Sequence, residues 1–147
     1  MLSLLWLASS LSKRRTSAVR QGFTLQGSDH NRLLRNSVVG ASDWFAYGLF
    51  GGSDNNEIRH NSASATSGIG FMIQGANKIL FVSNVASGNY GNGFGANPPA
   101  TGNVYTANNN TNHDFEDNTS SGHGDFGTDN HYSNNTCDGR SSPPRTC

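Results

Sequence analysis

Five asparagines recur at nearly constant spacing, and this constrains the chain more than any other feature. Asn36, Asn61, Asn84, Asn108 and Asn135 follow one another at intervals of 25, 23, 24 and 27 residues. Three positions before each stands a large apolar side chain: Leu33, Ile58, Phe81, Tyr105 or Tyr132. Five positions before each stands Asn31, Asn56, Ile79, Asn103 or Asn130, so the unit Asn-x-apolar-x-x-Asn repeats with a single substitution. A period in the twenties means that each unit is too short to bury its own apolar face and does so only against its neighbours in a stack.

Two further columns fill out the unit. Gly22-Phe23-Thr24-Leu25, Gly48-Leu49-Phe50, Gly70-Phe71-Met72-Ile73 and Gly93-Phe94 share a glycine followed by a large apolar residue. Alternation along a strand then sends Phe23, Leu49, Phe71 and Phe94 inward and Thr24, Phe50, Met72 and Gly95 outward. Val38, Ala63, Ala86 and Cys137 each lie two residues past a column asparagine. Gly and Asn interrupt every few residues and no 3.6-residue apolar period persists, which disfavours helical repeats.

An all-β solenoid, a parallel β-helix of about five coils with three short strands per coil, accounts for all three columns. Equivalent residues then lie one above another at about 4.8 Å, the separation of hydrogen-bonded strands. Stacked side-chain amides can donate to and accept from the next rung, so Asn36, Asn61, Asn84, Asn108 and Asn135 are expected to form a buried ladder. These asparagines are also expected to take left-handed turn conformations, which Asn tolerates.

The pattern divides the chain into residues 1–21, an irregular N-terminal segment or cap; 22–137, the β-helix; and 138–147, a tail. Leu2, Leu4, Leu5, Trp6 and Leu7 form an apolar run too short to cross a bilayer, which takes about 20 residues. The basic cluster Lys13-Arg14-Arg15 follows this run instead of preceding it, so the segment reads as a cap, an irregular start or a degenerate signal. If N-terminal coils are missing, end-to-end or edge association is expected. The last coil contains an extra match, His113-Asp114-Phe115-Glu116-Asp117-Asn118. It is expected to be a loop thrown out of the coil, the alternative being a strand that displaces Tyr105.

Formal net charge is zero, so no overall field draws nucleic acid to the chain. The late segment is nonetheless acidic and rich in histidine: His113, Asp114, Glu116, Asp117, His123, Asp125, Asp129 and His131. From it, His113, Asp114, Asp117, His123, Asp125 and Asp129 make up the candidate metal set, with Ca²⁺ through oxygens or a transition metal through imidazole as its cofactor. Ordinary polar turns are the competing reading. Phe50 and Met72 fall in equivalent outward slots, and Trp44, Phe45 and Tyr47 lie in the longer second connection. Of these, Trp44, Tyr47, Phe50 and Met72 are the candidate carbohydrate-binding residues, suited to stacking on sugar rings. Burial beneath a loop or against a missing partner is the competing reading. Gly88-Asn89-Tyr90-Gly91-Asn92-Gly93 reads as turn glycines, since no amphipathic helix follows to make a phosphate loop.

Cys137 falls in the inward slot of the last rung, and Cys147 lies beyond Pro143-Pro144. A bridge between them would fold the tail across the open end and contribute about 2 to 3 kcal/mol. It would also imply an oxidising compartment, against the alternative of two free thiols in a reducing one.

The repeats resemble those of the right-handed parallel β-helix superfamily, over roughly residues 22–137. Pectate-lyase-like enzymes and nitrous-oxide reductase maturation proteins share such coils. The ending from Asn134 to Cys147 also resembles the termini of secreted bacterial members. The resemblance implies a right-handed coil, an extracellular or periplasmic location and a polysaccharide partner. It supplies no catalytic set. Uronate lyase or epimerase chemistry needs a cation and a C5 base, and only Lys78, Arg140 and Arg145 follow Arg59 as strong bases. The expected function is therefore a β-helix module that binds polysaccharide or serves as a structural surface element, without catalysis. The alternatives are a polysaccharide lyase, epimerase or glycoside hydrolase, and a periplasmic metal-handling protein.

Overall fold

The computed structural model describes residues 2–4, 10–17, 19–106, 108–111, 115–119 and 130–137. The described residues form short strands in three six-stranded sheets, every pairing is parallel, and none of them is helical. The first sheet holds β1 (Leu2–Leu4), β4 (Phe23–Gln26), β7 (Phe45–Phe50), β10 (Ile69–Gln74), β13 (Phe94–Asn97) and β16 (Phe115–Asp117). The second holds β2 (Ser10–Ser12), β5 (Arg32–Leu34), β8 (Glu57–Arg59), β11 (Leu80–Val82), β14 (Val104–Thr106) and β17 (His131–Ser133). The third holds β3 (Arg15–Ser17), β6 (Ser37–Val39), β9 (Ser62–Ser64), β12 (Val85–Ser87), β15 (Asn109–Thr111) and β18 (Thr136–Cys137).

Successive strands belong to successive sheets, so the chain winds as a parallel β-solenoid with three strands per turn. Four windings, from β4 to β15, have neighbours on both sides. Pairing begins before the sequence pattern does. Phe23 pairs with Leu2, Leu33 with Leu11 and Val38 with Thr16, so residues expected to form only a cap contribute strands to all three sheets. These strands read Leu-Ser-Leu, Ser-Leu-Ser and Arg-Thr-Ser and lack the asparagine that marks the later windings, which hides them from a search for the repeat.

Aromatic rings fill the interior. In the first sheet Phe23, Tyr47, Phe71, Phe94 and Phe115 stack in series, with centroids 5.2, 4.6, 4.8 and 4.7 Å apart. In the second, Phe81, Tyr105 and Tyr132 stack at 4.8 and 5.0 Å. The two stacks meet edge to face, Phe81 lying 6.2 Å from both Phe71 and Phe94. Offset stacks and T-shaped contacts are the two arrangements that the ring quadrupole favours. The third sheet contributes Val38, Ala63 and Ala86, whose small side chains leave room for the rings.

Register in the first sheet departs from the sequence reading at one point. Tyr47, not Leu49, lies beside Phe23 and Phe71, while Leu49 pairs with Leu25 and Ile73. Aligning the chain on Gly48 had shifted this strand by two residues. A shift of two preserves the inward and outward faces, so Leu49 still points inward. It misplaces Tyr47, which is fully buried with its hydroxyl donating to the Ser62 carbonyl at 3.2 Å. Burial pushes the Tyr47 phenol well above its usual range, and burial followed by the nearby Asp117 carboxylate does the same to Tyr105.

The asparagine column is a hydrogen-bonded ladder. The side-chain oxygen of Asn84 accepts from the backbone N–H of Asn61 at 2.9 Å and from its amide at 3.1 Å. Asn84 in turn makes the same two donations to Asn108, both at 3.0 Å. Its second amide hydrogen goes to the Ile58 carbonyl at 2.8 Å. The pattern runs from Asn36 through Asn61 and Asn84 to Asn108 and ends on Asn135, all five being buried.

A second ladder lies at the other end of each second-sheet strand. Asn31 donates to Asn56, and Asn103 to Asn130. Ile79 occupies the rung between them, where only its backbone N–H can reach Asn103, at 2.8 Å. Asn56 compensates by donating to the carbonyls of Ser28 and Ser53.

The ladder asparagines do not carry the left-handed conformations. At Asn36, Asn61, Asn84 and Asn135 those fall on the preceding residue, Arg35, His60, Ser83 and Asn134, with φ between 52° and 54°. His30, Asn55, Lys78 and Gly102 do the same for the second ladder. The corner bends at an outward residue, which frees the asparagine backbone N–H to point along the stack.

The extra match in the last coil is neither of the expected alternatives. Phe115 pairs with Phe94 as the next ring of the first-sheet stack, and Tyr105 keeps its place between Phe81 and Tyr132. The segment 115–117 is the first-sheet strand of the following winding.

Candidate functional site

The outward face of the first sheet carries two rows. One runs Thr24, Gly48, Met72, Gly95, Glu116; the other runs Gln26, Phe50, Gln74, Asn97. Met72 therefore stands opposite Gly48, and Phe50 opposite Gln74. The two share a face but not an equivalent slot, contrary to the expectation. Glycine at two places in the first row opens space that neighbouring side chains lean into. A Cβ on Gly48 would lie 2.4 Å from the Phe50 ring and 2.5 Å from the Phe45 ring, and one on Gly95 would meet Ile69 at 3.3 Å and Met72 at 3.4 Å.

The result is an open groove of about 540 Å³ lined by Gln21, Asp43, Trp44, Phe45, Phe50, Ile69, Met72, Gln74 and Asn97. Phe45 and Phe50 form its wall, their centroids 5.0 Å apart and their planes inclined at 56°. Trp44 stands at the rim with 82% of its surface exposed. The turn beneath it is fixed, since the Trp44 carbonyl accepts from Ile69 N–H at 2.7 Å. Gly68 makes this approach feasible, because a Cβ there would sit 2.0 Å from that carbonyl oxygen.

Asp43 closes one end of the groove. Its carboxylate accepts from the Gln21 amide at 2.9 Å and from Trp44 N–H at 3.0 Å, and Arg20 approaches it at 4.0 Å. The other end presents the amides of Gln74 and Asn97. Asn97 also accepts from Asn118 at 2.9 Å. Glu116, the next outward residue past Gly95, is held by Asn92 and Asn118.

Of the four candidate carbohydrate-binding residues, Trp44, Phe50 and Met72 come together here, and Tyr47 is corrected to the core. Phe45, noted beside Trp44 in the same connection, joins them, whereas Ile69, Gln21, Asp43, Gln74 and Asn97 were missed. Phe45 and Ile69 pair directly across β7 and β10, a relation visible in sequence only once Tyr47 is aligned with Phe71.

Of the six residues of the metal set, only Asp117 is among the described residues. His113, Asp114, His123, Asp125 and Asp129 lie outside them. Asp117 continues the inward row after Ala96. Its buried carboxylate accepts from Thr119 N–H at 2.8 Å, Thr119 hydroxyl at 2.6 Å, Asn130 amide at 2.8 Å and the Tyr132 hydroxyl. An oxygen pair so committed, and facing inward, is a structural acceptor and not a surface cation ligand; Asp117 had been placed in that set by composition alone. No three His, Cys, Asp or Glu side chains gather among the described residues.

Glu57 on the second sheet bridges Arg32, at 2.6 Å, and Arg59. Cys137 is half-buried in the inward row of the third sheet, and its expected partner Cys147 lies outside the described residues. No described helix is long and apolar enough to cross a membrane. No protein-family model, curated protein or solved structure matches the chain.

Proposed function

We propose that the chain is an extracellular or periplasmic polysaccharide-binding module whose ligand lies in the first-sheet groove, without catalysis of its own. One observation carries the reading: Phe45, Phe50, Ile69 and Met72 form an apolar floor and wall under an exposed Trp44, with Gln21, Asp43, Gln74 and Asn97 at the ends. A sugar ring offers apolar C–H faces and a rim of hydroxyls, and such a ligand requires both kinds of surface. The groove crosses β7, β10 and β13, about 10 Å at the usual strand separation, enough for two pyranose rings.

Catalysis ranks behind binding because the lining holds a single carboxylate, Asp43, whereas glycoside hydrolysis uses two about 5 to 9.5 Å apart. The lining also contains no Lys, Arg, His or Tyr to serve as the base of a lyase. A bridge between Cys137 and Cys147 belongs to the same proposal, as the device that closes the C-terminal end in an oxidising compartment.

Retention on immobilised polysaccharides tests it. Trp44→Ala and Phe50→Ala are each expected to weaken retention about tenfold, equivalent to about 1.4 kcal/mol. Trp44→Ala should leave the melting temperature within about a degree, since the indole is almost wholly exposed. Unchanged retention in both variants would place the ligand elsewhere, and release of unsaturated or reducing ends would show catalysis.

A further inference from the structure

We infer that the groove selects an uncharged polysaccharide, a polymer of neutral hexose or pentose rings, and rejects polyuronates. The inference rests on the carbohydrate-binding reading above and concerns which sugars that same groove admits.

The argument is one of charge. A polyuronate carries a carboxylate on every ring, so its binding surface has to supply cations at the spacing of the rings. The outward rows of the first sheet, from Thr24 to Glu116 and from Gln26 to Asn97, contain no Lys, Arg or His. The groove itself has none either, and its one charged side chain is Asp43. Arg20 adjoins this end, but it is already directed at Asp43. A chain extended past Gly95 next meets Glu116, a second carboxylate. An acidic polymer would therefore find no cation along the path between its ends. At one end Asp43 is offset only by Arg20, and at the other the polymer meets the Glu116 carboxylate.

Among the described residues, the other Lys and Arg side chains belong to other sheets or to corners. Arg32 and Arg59 lie on the second sheet, where both pair with Glu57. Arg15 lies on the third sheet, and Lys13, Arg35 and Lys78 occupy left-handed corners. What the first-sheet face offers instead is amides. Gln26 and Gln74 are exposed and Asn97 is half-exposed in one row, and each amide presents both a donor and an acceptor, as hydroxyl recognition requires. Hydroxyl-bearing rings without carboxylates match this set, with their C–H faces on Phe50 and Trp44.

The test uses the whole chain on immobilised β-1,4-glucan, xylan, mannan, polygalacturonate and alginate, at low ionic strength, with and without Ca²⁺. At least one neutral polymer is expected to hold the protein about tenfold more tightly than either polyuronate. Trp44→Ala should weaken that retention about tenfold, and Gln74→Lys should narrow the preference by raising retention on polygalacturonate. Tighter retention on a polyuronate in either buffer, weakened in Trp44→Ala, would overturn the selectivity while leaving the binding groove in place. Polyuronate retention that Trp44→Ala does not alter would overturn it as well. Retention on none of the polymers would sink both the selectivity and the carbohydrate reading.

Discussion

Replacing Asn84 by Leu is expected to destabilise the protein by about 3 to 6 kcal/mol. Leucine has the same number of heavy atoms as asparagine but is bulkier, so the loss reflects the missing amide and some crowding, and not a cavity. It removes the oxygen that accepts from the Asn61 backbone and side chain, and the donor that satisfies the Ile58 carbonyl. Each buried group left unsatisfied costs about 1 to 3 kcal/mol. Against a total stability of about 5 to 15 kcal/mol for a domain, the variant stands near the threshold of unfolding.

Asn109→Leu is the control, because Asn109 opens β15 with its side chain exposed. That change should stay within about 0.5 kcal/mol. Asn92 is unsuitable for the purpose, since its half-buried amide holds Glu116. Equal destabilisation of Asn84→Leu and Asn109→Leu in urea titrations would show that the ladder contributes nothing.

Phe71→Ala should cost about 4 to 5 kcal/mol, at the upper end of the range for a buried phenylalanine. Phe71 lies at the middle of the longer stack, 4.6 Å from Tyr47 and 4.8 Å from Phe94, and also meets the edge of Phe81. Truncation removes three ring contacts at once and leaves a cavity that neighbouring windings, pinned by strand pairing, cannot close. Phe71→Leu retains most of the buried area and loses the stacking, for about 1 to 2 kcal/mol. The two variants should shift the denaturant midpoint without altering the slope. A loss for Phe71→Ala as small as that for Phe71→Leu would mean that the interior relaxes and the rings are not stacked as described.

The winding itself was legible because Asn at a buried corner has no substitute of comparable hydrogen-bonding capacity, so its period survives in the sequence. The apolar residue three positions earlier was legible for the same reason: Leu33, Ile58, Phe81, Tyr105 and Tyr132 share one slot between two ladders. Ile79 shows the limit of such reasoning. Its backbone N–H joins the second ladder although its side chain cannot, and the sequence displays only the interruption.

The first sheet was harder to read. β7 and β10 are six residues long and the glycines within them do not align, since Gly48 pairs with Met72 and not with Gly70. Aligned on Gly48, Tyr47 and Phe45 fall in the connection before the strand instead of within it. The groove was illegible for a related reason: it arises where Gly48 and Gly95 carry no side chain, and the rings that fill the space come from adjacent positions. Asp117 was misread because composition counts carboxylates without showing which way they face. Its inward direction follows from pairing with Ala96.

The stacked ladder is the claim on which the groove, the corners and the end of the coil depend. Its most direct test is a nuclear Overhauser spectrum of the side-chain amide protons in selectively labelled asparagine. The structure predicts an unbroken series of cross-peaks linking Asn36 to Asn61, Asn61 to Asn84 and Asn84 to Asn108, from amides that exchange slowly with solvent. Absence of those cross-peaks, with the same amides exchanging as fast as that of exposed Asn109, would contradict it.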